Sequence, residues 1–206
     1  MQTRIQQTGL KGRAVAGAVA AAAALMLPAA PAQAALQDRD LDGNGETDAF
    51  YDTDLDITWL RNANVNGWMD DWATAVAWAD GFVFAGYSDW RLPTSDTCQF
   101  YNCTGSEMGH LWYVELGNVD KLANTGNFQN LQADFYWSGT PDPGYPGFAM
   151  AMDFWDGWQI GYSDSNPGYA LAVRPGDVPA VPEPQTYALL LLGLTGLTVA
   201  MRRQPR

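Results

Sequence analysis

The chain has 206 residues, a formal net charge of −12 and 47% hydrophobic residues, and much of that apolar content sits in an Ala/Leu run near the start and a Leu/Gly run near the end. About 140 residues lie between those runs, the length of one domain, and all nine tryptophans fall there, so the region is too aromatic to stay disordered. Six of the eleven basic residues are at the termini, which leaves an acidic domain whose surface repels phosphate backbones and excludes nucleic acid as a partner.

Residues 1–34 read as a secretory signal peptide. Arg4, Lys11 and Arg13 form the basic start, Ala14 to Leu27 the apolar stretch, and Ala32-Gln33-Ala34 the small-x-small cleavage pattern. Residues 35–50 read as an acidic linker or a calcium loop. Asp38, Asp40 and Asp42 followed by Gly43 have the spacing at which alternate side-chain oxygens converge on one ion, with Asn44, Glu46 and Asp48 as further oxygens. The twelfth position is Ala49 counted from Asp38 and Tyr51 counted from Asp40, so the glutamate that closes an EF-hand is missing. Any calcium would need other ligands, with Asp52 and Asp54 in reach along the chain. Calcium is the one cofactor the sequence suggests.

The pattern then predicts two helices followed by strands. Trp72, Ala75, Val76 and Ala79 mark one apolar face, with Asp70 or Asp71 to cap its start and Gly81 to end it. Thr104-Gly105-Ser106-Glu107 has the form of a capping box, Met108, Leu111 and Trp112 follow on one face, and Gly117 stops the helix. Phe135-Tyr136-Trp137 predicts a strand. Phe148, Met150, Met152 and Phe154 alternate up to the turn dipeptide Asp156-Gly157, Trp158, Ile160 and Tyr162 alternate on the return, and Tyr169 to Val173 predicts a last strand. Helices first and an antiparallel meander afterwards predict α+β. Cys98 and Cys103 are the two cysteines of an exported chain, and they are expected to pair as a disulfide. His110, the single histidine and so the only one a nucleophilic triad could use, falls on an exposed-looking helix face and is expected as an ordinary surface residue.

The tail, residues 178–206, carries Pro182-Glu183-Pro184, an uncharged Leu-rich run from Thr186 to Met201, and Arg202, Arg203 and Arg206. This order resembles the PEP-CTERM sorting signal. The resemblance implies an exosortase-type membrane protease as partner, a transmembrane sorting helix that holds the precursor in the membrane, and release to the cell surface or extracellular matrix.

Between the termini, four segments resemble the Lcl C-terminal-like domain, over 51–177. They are Tyr51 to Leu60; Gly86-Tyr87-Ser88-Asp89-Trp90-Arg91-Leu92-Pro93-Thr94; Tyr136 to Thr140; and Ala172-Val173-Arg174-Pro175-Gly176. Members occur on exported proteins, one of them an adhesin that binds sulfated polysaccharide. Arg91-Leu92-Pro93-Thr94 with Val173-Arg174 is also similar to formylglycine-generating enzymes and their lectin-like relatives, which implies a single C-type-lectin-like domain. The cysteines those enzymes use late in the domain are missing here, so the resemblance implies a module without catalysis. Arg91 and Arg174 are expected to pair with carboxylates such as Asp89 and tie the ends together, or else to meet ligand. The function expected is a non-catalytic binding module, with extracellular polysaccharide as a candidate partner stacking on Trp155 and Trp158. A structural matrix protein without ligand and a carboxylate-based glycosidase stay open as alternatives.

Overall fold

The computed structural model describes residues 36–178. The signal segment, the Pro182-Glu183-Pro184 motif and the apolar run 186–201 lie outside the described residues.

The first sheet holds β1 (Leu36–Arg39), β2 (Ala49–Asp52), β3 (Ile57–Leu60) and β8 (Val173–Pro175) in that spatial order, all antiparallel. Side chains alternate along a strand, and here both faces are covered. Phe50, Ile57, Trp59 and Val173 face one core, while Ala49, Leu60 and Ala172 face another that includes Trp90 and Val178. The second sheet holds β4 (Phe135–Pro141), β5 (Phe148–Asp153), β6 (Trp158–Ser163) and β7 (Tyr169–Ala170) in the order β6-β5-β4-β7. β7 runs parallel to β4 and the other pairs are antiparallel. Gly157, at φ 83°, takes the left-handed position of the β5–β6 turn, as Asp156-Gly157 predicts.

Helix α1 (Trp72–Gly81) starts where the Asp71 carboxylate accepts from the Thr74 amide. Its buried Ala75 and Ala79 let the helix come close to Trp137, Ala149 and Ala151 of the second sheet. Helix α2 (Glu107–His110) runs directly into a π-helical turn (Leu111–Glu115), marked by the Leu116 amide donating to the Leu111 carbonyl at 2.9 Å. Met108, Leu111 and Trp112 enter the core that both sheets share, where Trp59, Tyr136 and Phe154 are also fully buried.

These observations overturn the expected fold class. The domain is mostly β, with two separate four-stranded sheets and two short helices, rather than an α+β domain with one antiparallel sheet. The C-type-lectin-like assignment is not supported; no helix among the described residues is long and apolar enough to cross a membrane, and the run 186–201 expected to form the transmembrane sorting helix lies outside them. The reason is that residues 36–50 form β1 and start β2, and that Tyr169–Val173 is two strands. Chain entering at β7 in the second sheet passes through buried Leu171 and Ala172 into β8 of the first. The capping box also resolves differently. Ser106 caps α2, its Oγ accepting from the Gly109 amide, and Glu107 turns away to Arg91. The alternation in β5 is weaker than its sequence suggests, because Ala149, Met150, Ala151 and Met152 are all buried.

Two guanidinium clasps close the structure. Arg174 donates to both oxygens of Asp89 at 2.8 and 2.7 Å and lies over the Tyr87 ring. Arg91 donates to both oxygens of Glu107 at 2.8 Å, and Glu107 also accepts from the Thr94 amide. Trp90 and Leu92 between them are buried, and the Pro93 carbonyl accepts from the Gly139 amide. The stretch Asp89 to Thr94 is therefore a strap that joins both sheets. Arg174 is largely buried while Asp89 is half exposed, so Arg174→Ala should lower unfolding stability by about 2 kcal/mol at pH 6, between an exposed and a buried pair. Arg174 holds the Asp89 carboxyl below its ordinary 3.8, mainly by hydrogen bonding and then by charge, against desolvation. Its stabilisation is complete above that value and is lost as pH falls through the folded-state value. Urea midpoints of wild type and variant should therefore begin to approach each other below about pH 4 and meet only once pH is under the folded-state value, at unchanged m-value.

Candidate functional site

Cys98 and Cys103 form a disulfide, and the loop they close folds onto the edge strand β6. Phe100 and Gln159 exchange backbone hydrogen bonds at 2.6 and 2.8 Å. The fully buried Gln159 side chain donates to the Asp96 carboxylate and the Cys98 carbonyl. Tyr101 donates to Asp156 at 3.0 Å and Tyr113 to the Gly157 carbonyl, which pins the loop to the β5–β6 turn. The unpaired edge of the second sheet is thereby covered, and three large rings stay outside: Phe100, Tyr101 and Trp155 are 57%, 54% and 59% exposed. Trp158, expected beside Trp155 as a stacking surface, is half-buried instead.

Next to this loop is an open cleft of ≈ 210 Å³ lined by Gln99, Asp142, Tyr145, Phe148, Ile160 and Gly161. Tyr145, on the β4–β5 connection, and Phe148, at the start of β5, have ring centroids 6.1 Å apart. Asp142 is buried, and one of its oxygens accepts from the Gly144 amide. Gly161 makes room for it, since a Cβ there would lie 1.8 Å from the other Asp142 oxygen. Consecutive residues Gln99, Phe100 and Tyr101 run from this cleft to the hairpin turn. Sequence reasoning missed Gln99, Phe100, Tyr101, Asp142 and Tyr145. The signal available was an aromatic residue set in the Pro/Gly-rich connection from Pro141 to Phe148. A second open cleft, ≈ 280 Å³, is bounded by Leu60, Val65, Phe82 and Phe84, and Arg61 at its wall is already held by the carbonyls of Thr47 and Asn127.

The acidic segment forms the β1–β2 connection. Asp40 accepts from the amides of Gly43, Asn44 and Gly45, and Asp48 from those of Leu41 and Asp42. Desolvation, the largest single influence, pushes the Asp40 carboxyl up, but its backbone amide donors together hold it below its ordinary range. Asp40, Asp42 and Asp48 bring carboxylate oxygens within 4.8 Å of one another. Asp38 instead sits on β1 and accepts from the Thr47 hydroxyl, while Asn44 accepts from the Glu46 amide. The spacing that converges thus starts at Asp40, two residues later than the first aspartate of the motif.

His110 is not the surface residue expected, since its side chain is only 14% exposed. Its Nε2 lies 3.3 Å from Glu115 Oε1 and 3.9 Å from Asp54 Oδ2. Asp52, fully buried on β2, accepts from the Asp54 and Leu55 amides and from the Trp59 indole. Burial pushes the Glu115 carboxyl up, the Asp52 charge adds to that, and His110 opposes it.

A disulfide-stapled β domain followed by a sorting tail defines the class. The PEP-CTERM protein-sorting motif matches residues 180–204, and the protein is exported and sorted by an exosortase to the cell surface or extracellular space. The Lcl C-terminal domain matches residues 48–174, and the chain belongs to that family. No curated protein matches the chain.

Gly161→Ala should displace Asp142 and distort the cleft, lowering stability by about 1–3 kcal/mol as overpacking does. Thermal unfolding monitored by tryptophan fluorescence checks this, and because Gly161 is not in the left-handed region the loss reports the clash with Asp142 alone.

Proposed function

We propose that the domain is a non-catalytic module that binds extracellular polysaccharide along the cleft and the adjoining rings. The observation that carries this reading is the set of exposed rings, with Tyr145 at the cleft that Asp142 lines and Phe100, Tyr101 and Trp155 on the disulfide loop and the β5–β6 turn. Sugar rings offer apolar C–H faces for such rings and hydroxyls for a fixed carboxylate and amide, here Asp142 and Gln99. In this reading residues 1–34 are the removed signal, 51–177 the binding domain with 35–50 leading into it, and 178–206 the sorting tail. The precursor stays at the membrane until the exosortase acts on Pro182-Glu183-Pro184.

A glycan array probed with the exported protein tests it. Saturable binding should fall about tenfold, equivalent to 1.4 kcal/mol, in Trp155→Ala and in Tyr145→Ala, with melting temperatures unchanged. No saturable glycan would favour a structural matrix protein, and release of reducing sugar would favour a glycosidase.

The convergence of Asp40, Asp42 and Asp48 favours a second reading, in which the β1–β2 connection takes calcium. Without a bidentate closing glutamate the affinity should be that of extracellular modules, ~10⁻⁴–10⁻³ M. At matched ionic strength, about 10 mM calcium should raise the melting temperature, and Asp40→Ala with Asp42→Ala should abolish the rise. An equal rise in both proteins would leave only screening.

A further inference from the structure

We propose that Asp52, His110 and Glu115, with Asp54 at the mouth, form a site for a divalent cation of the zinc class. The three core groups each place one ligand atom within 4.8 Å of the others. The second observation is independent of that clustering. The Glu115 side chain is 1% exposed, and its Oε2 is buried without any hydrogen-bond partner. A carboxylate oxygen in that state forfeits its hydration for nothing in return. Among the described residues neither Asp52 nor Glu115 forms an ion pair with Lys or Arg. A dication that Glu115 meets through both of its oxygens gives the orphaned one a partner and relieves the repulsion with Asp52.

Local backbone geometry builds the site. In an α-helix, residues five apart are separated by about 140° around the axis. His110 and Glu115 are five apart, yet their side chains meet at 3.3 Å. The π turn Leu111–Glu115, whose hydrogen bonds span five residues, is what brings one over the other. Asp52 arrives from β2 already fixed by three N–H donors, with lone pairs to spare. Nε2 is the histidine atom facing both acidic neighbours. A tetrahedron with metal–ligand bonds near ~2.05 Å has edges of roughly 3.3 Å. The observed 3.3 Å between Nε2 and Glu115 Oε1 matches that edge, while the half-exposed Asp54, 3.9 Å from Nε2 and outside the three-residue cluster, has to swing inward to complete the shell. An imidazole nitrogen among carboxylates selects zinc-like ions over calcium and magnesium, which take oxygen shells. This site is therefore chemically distinct from the all-oxygen β1–β2 connection, and it does not depend on the polysaccharide reading.

The single histidine makes the test direct. In the chelator-treated exported protein labelled with ¹⁵N-histidine, one imidazole reports. Addition of zinc chloride should move the Nε2 resonance with one-to-one stoichiometry, whereas millimolar magnesium or calcium should leave it in place. Glu115→Gln and Asp54→Asn should each weaken zinc binding at least about tenfold, no less than the loss of an outer-shell partner. Asp54 is half exposed, so its variant keeps the fold, which near-UV circular dichroism checks. Asp40→Ala with Asp42→Ala should leave the zinc response intact. An Nε2 signal that stays put at about 1 mM zinc, or zinc affinity equal in wild type and both ligand variants, would overturn the proposal.

Discussion

The closing segment from Gly168 to Gly176 is the constraint on which the rest of the structure depends. Within it the chain pairs parallel with β4, crosses the core, and pairs antiparallel with β3. Val173 and Arg91 exchange backbone bonds at 2.8 and 2.9 Å, Gly168 and Met69 do the same at 3.1 and 2.9 Å, and Leu60 donates to the Ala172 carbonyl. Each of these bonds joins parts of the chain far apart in sequence. Loop closure makes such contacts entropically late, and each stabilises the domain only once the others exist. The Arg174 and Arg91 clasps act at this junction because a bidentate guanidinium fixes orientation as well as distance.

That organisation decides how the chemistry-bearing groups are displayed. The family strap Asp89 to Thr94 is spent on internal bonds, with both of its ends tied to distant carboxylate or guanidinium partners. Arg91 within the strap and Arg174 on β8 both meet protein carboxylates, so the expectation that ties them to structure is the one the geometry favours. The groups left over are of two kinds. Aromatic rings stand outside on the disulfide loop and the two turns of the second sheet, and a buried acidic pocket lies where the π turn meets β2.

Much of this was legible from local pattern, and the failures share one cause. Helix α1 was readable because its apolar spacing and Asp71 cap are local, and the β5–β6 turn because Asp156-Gly157 demands a left-handed residue. That Arg91 and Arg174 would pair with carboxylates such as Asp89 was readable from the scarcity of cations, but only the fold gives Asp89 to Arg174 and Glu107 to Arg91. The first sheet was not, since its edge strand Leu36–Arg39 carries two charges and reads as solvated chain. Nor was the division of Tyr169–Val173, because a continuous apolar run is the same whether it stays in one sheet or changes sheets. Glu107 satisfies a capping-box pattern and an arginine pair equally well on paper, and only the fold brings Arg91 to it. His110 was misplaced for a sharper reason. Helical periodicity assumes 3.6 residues per turn, and the π turn breaks that period at the residue after it.

The disulfide takes its importance from position more than from loop entropy. Closing so short a loop removes only about 2 kcal/mol of chain freedom from the unfolded state. Its larger effect is to hold Gln99, Phe100 and Tyr101 in one shape against β6, through Gln159 and the reciprocal bonds to Phe100. A loop that had to order on binding would lose affinity with each side chain it immobilised, by about 0.5–1.5 kcal/mol. A stapled loop has met that loss during folding, in the oxidising space where the exported protein works. Exposed rings on such a loop are rigid without being buried, and this is the condition under which a shallow, open surface can hold a ligand that it does not enclose.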